Sequence, residues 1–168
     1  MAQLIGTKVM EDDPEMMKIL KDRGFGELIG ERMLLAPVEA LYLLEKKRMH
    51  VTEGRKKMSF GSLFASLRKA EKELDMKYAV YRDLRSKGYV VRTGLKYGTF
   101  FRIYEKGIRV GEGHSSALVQ PAAEEWKTSI YEIVGAIRLA HSVKKKMVWA
   151  IVDTEGDVTY LKLSRIVP

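Results

Sequence analysis

The spacing of apolar residues changes near residue 74, and this change constrains the fold more than any other feature. Before it, an apolar stripe recurs at helical intervals from Ser59 to Leu74, with charged residues on the other face. After it, short apolar runs alternate with glycine-rich turns, as in strands. The glycines are Gly88, Gly94, Gly98, Gly107, Gly111 and Gly113. The pattern predicts an α+β chain with a small mixed α/β domain over 1–74 and a second domain over 75–168.

Two further helix starts are visible in the first domain. Asp13 precedes Pro14, and an acidic N-cap followed by proline is typical of a first helical turn. Gly24 and Gly26 then end this helix. Pro37 opens another helix, and the apolar run that follows it through Leu44 predicts that this helix is buried.

The second domain alternates predicted strands with two predicted helices. Strands are predicted over 89–92, 99–104 and 117–120, and a hairpin over 146–152 and 158–163. One helix is predicted over 78–86, and the other begins after Thr128 or Ser129, whose hydroxyl can cap its first turn. The expected architecture is a mixed sheet flanked by helices.

Composition excludes several classes of protein. The chain has no cysteine, so disulfides and thiolate metal sites are excluded. No apolar run reaches the roughly 18 residues that a membrane span needs, and the amino terminus turns acidic before a signal sequence could form. We therefore expect a cytoplasmic protein with no membrane partner. A formal charge of +8 and a pI near 9.6 favour a polyanion such as nucleic acid as partner.

Histidine is the side chain best suited to acid–base chemistry near neutral pH, and the chain has three. His114 follows a glycine-rich loop and precedes a predicted strand, whereas His50 and His141 have positions typical of exposed or structural residues. None has a second histidine at metal-ligand spacing, and the glycine-rich loops carry no paired aspartates. The glycines do not open a helix, so a nucleotide-binding loop is not indicated. We expect an enzyme of this sequence to need no metal and no cofactor.

Several segments in fixed order resemble one known family. They are Val38 to Leu43, Tyr78 to Gly88, Leu95 to Gly98, Phe101 to Gly107, His114 and Ser115, Arg138 to Lys146, and Ala150 to Asp153. This set strongly resembles the archaeal tRNA-splicing endonucleases, and the resemblance covers essentially the whole chain. It implies a catalytic second domain with a fold like that of the restriction endonucleases.

The resemblance also implies an activity and its residues. The family cuts precursor tRNA at bulge-helix-bulge splice sites without metal, and leaves 2′,3′-cyclic phosphate and 5′-hydroxyl ends. Tyr104, His114 and Lys145 match its tyrosine, histidine and lysine, although Lys144 and Lys146 compete for the last role. Attack of a ribose 2′-hydroxyl on its phosphate needs a base, an acid and positive charge, which these three side chains can supply.

Substrate holding and assembly are implied in the same way. Arg138, and more loosely Arg165, match positions that pinch a splayed bulge base. The acidic loop formed by Asp153, Glu155 and Asp157 matches one that docks in a basic pocket of another unit. The implied partners are precursor tRNA and a tetramer of identical copies or of copies with a paralogous subunit. The alternatives are a non-catalytic subunit of the same enzyme and a metal-dependent nuclease, which would need paired acids.

Overall fold

A computed structural model describes residues 1–94, 98–107 and 113–166. The chain divides into two compact units, Met1–Tyr78 and Ala79–Pro168. Strands and helices occur in both units, so the predicted α+β class is confirmed.

The first unit contains a six-stranded sheet and three helices. The strands are β1 (Ala2–Ile5), β2 (Lys8–Glu11), β3 (Glu27–Ile29), β4 (Arg32–Leu35), β5 (Val51–Glu53) and β6 (Lys56–Lys57), in the order β3-β4-β2-β1-β5-β6. All neighbours are antiparallel except β1 and β5, which are parallel. The helices are α1 (Pro14–Asp22), α2 (Pro37–Glu45) and α3 (Phe60–Arg68).

The helix starts follow the capping residues seen in the sequence. The Asp13 carboxylate accepts hydrogen bonds from the backbone N–H groups of Glu15 at 3.0 Å and Met16 at 3.4 Å, and Pro14 begins α1. Pro37 begins α2, and residues 38–43 of this helix are all buried, as the apolar run predicts.

The expected single stripe from Ser59 to Leu74 is wrong, because the helix is interrupted. Ser59 caps α3, but α3 ends at Arg68 and Leu74 begins a separate helix, α4 (Leu74–Ser86). Glu73 has a left-handed backbone with φ of 61°, which breaks the helical path. Helix α4 therefore starts before the predicted position at residue 78.

The second unit is built on a five-stranded mixed sheet. Its strands are β7 (Val90–Thr93), β8 (Phe101–Tyr104), β9 (Ala117–Ala123), β10 (Lys146–Val152) and β11 (Val158–Leu163), in the order β11-β10-β9-β8-β7. Among the described strand pairs of this sheet, only β9 and β10 are parallel. Helix α5 (Ile130–Ser142), capped by Ser129, connects them. This is the mixed sheet flanked by helices that the sequence predicts.

Each face of this sheet packs on a different helix. Met147 pairs with Leu118, and Leu118 pairs with Arg102, so these residues share one face. A hydrophobic cluster on that face joins the sheet to α5 and consists of Leu118, Ala122, Ala140, Met147 and Trp149. On the other face, Phe101 packs against Tyr81 of α4, with ring centroids 5.9 Å apart. We call the face that carries Leu118 and Met147 the α5 face.

Candidate active site

Three chain segments meet at one end of the five-stranded sheet. Strand β8 is antiparallel to β9, and β9 is parallel to β10, so the end of β8 lies beside the starts of β9 and β10. Tyr104 is the last residue of β8, His114 precedes β9, and Lys145 immediately precedes β10. The topology therefore brings the three predicted catalytic residues to the same end of the sheet.

Hydrogen bonds hold these segments together. The Ser116 N–H donates to the Ile103 carbonyl at 2.8 Å, and the Ser116 carbonyl accepts from the Lys146 N–H at 3.1 Å. The Lys145 ammonium donates to the carbonyl of Ser115 at 2.8 Å. The lysine side chain is thus fixed against the residue that directly follows His114.

The strand register separates the neighbouring lysines. Tyr104 lies on the α5 face, because side chains alternate along β8 and Arg102 occupies that face. The same alternation, continued one residue back from β10, assigns Lys145 to the face of Met147. Lys146 pairs with Ala117 and belongs to the opposite face. Tyr104 and Lys145 therefore share a face that Lys146 does not.

Lys144 occupies an unusual position at the end of α5. Its N–H donates to the His141 carbonyl at 3.0 Å, and the next N–H, of Lys145, donates to the Ala140 carbonyl at 2.8 Å. This pair of bonds is the Schellman arrangement, which needs a left-handed residue and usually has glycine there. Lys144 takes that place with φ of 57°. The turn fixes where Lys145 enters the sheet.

The three predicted catalytic side chains differ in exposure. Tyr104 is buried, with 6% of its surface exposed, and the Arg102 guanidinium carbon lies 5.9 Å from its ring centroid. Lys145 is half-buried, and His114 is exposed. Packing therefore fixes the phenol, whereas the imidazole is open to a large ligand. Residues 108–112, which include Gly111 of the predicted glycine-rich segment before His114, lie outside the described residues.

Adjoining cavities extend from this end of the sheet. A cleft of about 660 Å³ is lined by Ser116, His141, Ser142, Lys144, Lys145 and Lys146. Lys145 and Arg165 both line a second cavity of about 250 Å³, and Arg165 and Arg138 both line a third of about 240 Å³. The predicted catalytic lysine and the two predicted substrate arginines thus line cavities that share residues with one another.

His141 was not singled out by the sequence, yet it lines the first two of these cavities beside Lys145. Its position in the last turn of a helix is typical of a cation interacting with the helix dipole, so the sequence carried no signal of a cleft.

The three acids of the predicted acidic loop have two different roles. One carboxylate oxygen of Asp153 accepts hydrogen bonds from the N–H groups of Glu155 and Asp157, both at 2.9 Å. Asp153 therefore shapes the turn. Glu155 and Asp157 are exposed, so their charges face outward.

Two features of the described residues bear on the class of site. Across 1–94, 98–107 and 113–166, no three residues drawn from His, Asp and Glu are grouped so that they could hold a metal ion. Over the same residues, every helix is too short or too polar to cross a membrane.

Comparison with known proteins matches both units to one family. Residues 74–160 match the tRNA intron endonuclease, catalytic C-terminal domain, and residues 1–64 match the tRNA intron endonuclease, N-terminal domain. The tRNA-splicing endonuclease of Pyrococcus furiosus is 43% identical over 142 residues, which cover 84% of this chain and 81% of that protein. That of Methanococcus vannielii is 40% identical over 163 residues, covering 96% and 92%. That of Thermococcus onnurineus is 38% identical over 153 residues, covering 91% and 88%.

Proposed function

Because the chain belongs to the tRNA intron endonuclease family, we propose that it excises introns from precursor tRNA by cutting both boundaries of a bulge-helix-bulge element. One observation carries the proposal: a phenol, an imidazole and an ammonium group, from Tyr104, His114 and Lys145, converge on one end of the catalytic sheet. The net charge of +8 favours an RNA substrate. The compartment is the cytoplasm.

The proposed reaction is an internal transesterification. Tyr104, acting as its phenolate, takes the proton of the ribose 2′-hydroxyl, and the 2′-oxygen attacks the adjacent phosphorus. The P–O5′ bond breaks, and His114 gives its proton to the departing 5′-oxygen. Lys145 stabilises the negative charge that builds up on the phosphorane oxygens. One strand then ends in a 2′,3′-cyclic phosphate and the other in a 5′-hydroxyl, with no water consumed.

This reaction assigns every chemical role to protein groups, so it requires no metal ion. We expect purified protein to excise the intron in excess EDTA and to leave cyclic phosphate ends. A matched precursor whose bulges are closed by base pairing should resist cleavage. Loss of cleavage in EDTA that magnesium restores would overturn the mechanism. Binding of the precursor without any cleavage would favour the alternative, a non-catalytic subunit of a splicing endonuclease.

Substrate holding is proposed for the arginines of the third cavity. Arg138 and Arg165 line the same small space, and two guanidinium planes can hold an unstacked base between them. Replacing either arginine by alanine should weaken binding of a bulged RNA. Binding of a continuous duplex of the same length should change much less. Equal losses of affinity for both RNAs would mean that these arginines contact backbone phosphates without recognising the bulge.

Assembly into a tetramer is proposed through the acidic loop. The outward carboxylates of Glu155 and Asp157 suit a basic pocket on another unit, and the assembly consists of identical copies or includes a paralogous subunit. Glu155→Gln with Asp157→Asn removes these charges and keeps Asp153, which shapes the turn. Light scattering should then show dimers in place of tetramers. An unchanged mass would leave the loop as a hairpin turn.

A further inference from the structure

Strands β7 and β8 hold two arginines directly opposite each other. Arg92 pairs with Arg102 in the antiparallel register, so both lie on the α5 face, together with Tyr104. Both are half-buried. Like charges directly opposite each other across strands are destabilising, so a sheet built for stability alone would not favour this pair.

Arg102 is also poorly satisfied. Its Nε atom is buried, and no described residue supplies it with a hydrogen-bond partner. Within the part of the chain that the structure describes, its guanidinium contacts the Tyr104 ring and has no ion-pair partner. A buried donor without an acceptor destabilises the fold. An anion beside this group would supply the missing acceptor.

The arginines occupy a part of the face that the helix cluster does not fill. Of the described residues, those in the hydrophobic cluster under α5 come from α5 itself, β9 and β10, and none comes from β7 or β8. Arg102 lies two residues before Tyr104 along β8, or about 7 Å at the usual rise of a strand. An anion at Arg102 is therefore close to the phenol that we assign to the reaction.

We propose that Arg102 and Arg92 bind a backbone phosphate of the RNA adjacent to the phosphate that is cleaved. The inference rests on the proposed function, because it needs an RNA strand beside Tyr104. Guanidinium groups match phosphate oxygens with paired N–H donors, and they remain charged at every pH that a protein tolerates. The two arginines hold the RNA strand on the side of Tyr104 that is away from Lys145.

The test compares single arginine substitutions that remove the same charge. Arg102→Gln and Arg92→Gln alter the pair, whereas Arg55→Gln removes an exposed arginine from the turn between β5 and β6. Affinity for precursor tRNA is measured over a range of salt concentrations. Each pair variant should bind roughly tenfold more weakly, and the salt dependence should fall by about one phosphate contact. The Arg55 variant should match the wild type.

A second arm separates direct contact from a structural effect. RNAs are prepared with one uncharged methylphosphonate linkage at each position flanking the splice site. On the RNA whose contacted phosphate is neutral, Arg102→Gln should cause little additional loss of affinity. Arg102→Lys, which keeps the charge but loses the paired donors, should show a partial loss and also serves if the glutamine variant fails to fold.

The inference is overturned if both pair variants match Arg55→Gln in affinity and salt dependence, or if Arg102→Gln shows its full loss on every modified RNA. Failure of the proposed function has a different signature, because the wild-type protein itself would then neither bind nor cut the precursor.

Discussion

Replacing Lys144 by glycine should separate stability from RNA binding. Lys144 holds φ of 57° where glycine is the usual residue, and Lys47 holds φ of 54° in the same Schellman arrangement at the end of α2. Of these two lysines, Lys144 lines the cleft with Lys145 and Lys47 does not. Lys47→Gly is therefore a matched control, since it changes the same backbone position and the same charge in the other unit.

The magnitude follows from the backbone. A left-handed conformation costs a residue with a side chain about 1–2 kcal/mol, whereas glycine adopts it freely. Glycine also gains about 0.5–1 kcal/mol of conformational freedom in the unfolded chain, which opposes the benefit. The net stabilisation is about 0.5 kcal/mol for each substitution, or a rise of about 1–2 °C in Tm for a chain of this size.

The two glycine variants should gain similar stability but differ in their affinity for RNA. Lys144→Gly removes a cation from the cleft, so its affinity for precursor tRNA should fall and its salt dependence should weaken by about one phosphate contact. Lys47→Gly should bind as the wild type does. Lys144→Asn, which tolerates the left-handed backbone without adding chain freedom, should show the same binding loss. Thermal unfolding and a salt series check both effects. Unchanged binding by both Lys144 variants would refute the assignment of this lysine to the substrate.

Three other perturbations test separate parts of the account. His114→Ala should slow single-turnover cleavage by roughly 100-fold while leaving RNA affinity nearly intact, since it removes an acid acting in the transition state. Lys145→Ala should likewise depress the chemical step, whereas Lys146→Ala should weaken binding; the reverse result would refute the register. The pKa of the Asp83 carboxyl is lowered from its ordinary value of 3.8. Burial acts to raise this pKa, but the hydrogen bonds from Lys87 and Tyr160 outweigh that effect. The ionised Asp83 carboxylate therefore stabilises the folded protein above pH 3.8, and this stabilisation is lost as the pH falls below that value. Tyr160→Phe removes one of these hydrogen bonds, so the free energy of unfolding should fall less steeply toward about pH 3.

Capping chemistry explains why most helix starts could be predicted. Asp13 and Ser129 accept the N–H groups of their own first turns, and this effect depends only on residues nearby in sequence. The break between α3 and α4 could not be predicted, because Glu73 takes a left-handed conformation without glycine or proline to mark it. Lys144 is a comparable case, since lysine gives no signal of a helix end.

For the candidate site, the sequence indicates the residues but not how the fold brings them together. The resemblance names Tyr104, His114 and Lys145, but their convergence depends on β8 pairing antiparallel to β9 and β9 pairing parallel to β10. Apolar spacing indicates which face of a strand is buried. Which strands pair, and in which direction, depends on contacts between residues that are distant in the sequence. The opposition of Arg92 and Arg102 is visible only once that register is known.

A precursor tRNA with a single 2′-deoxyribose immediately before one splice site shows whether the 2′-hydroxyl is the nucleophile. If the 2′-hydroxyl is the nucleophile, the wild-type protein should leave the modified boundary uncut, while the unmodified boundary of the same molecule is cut to a 2′,3′-cyclic phosphate and a 5′-hydroxyl. The second boundary serves as an internal control for binding and folding. Cutting of the modified boundary at an undiminished rate would mean that water attacks the phosphate, and would contradict the mechanism assigned to Tyr104, His114 and Lys145.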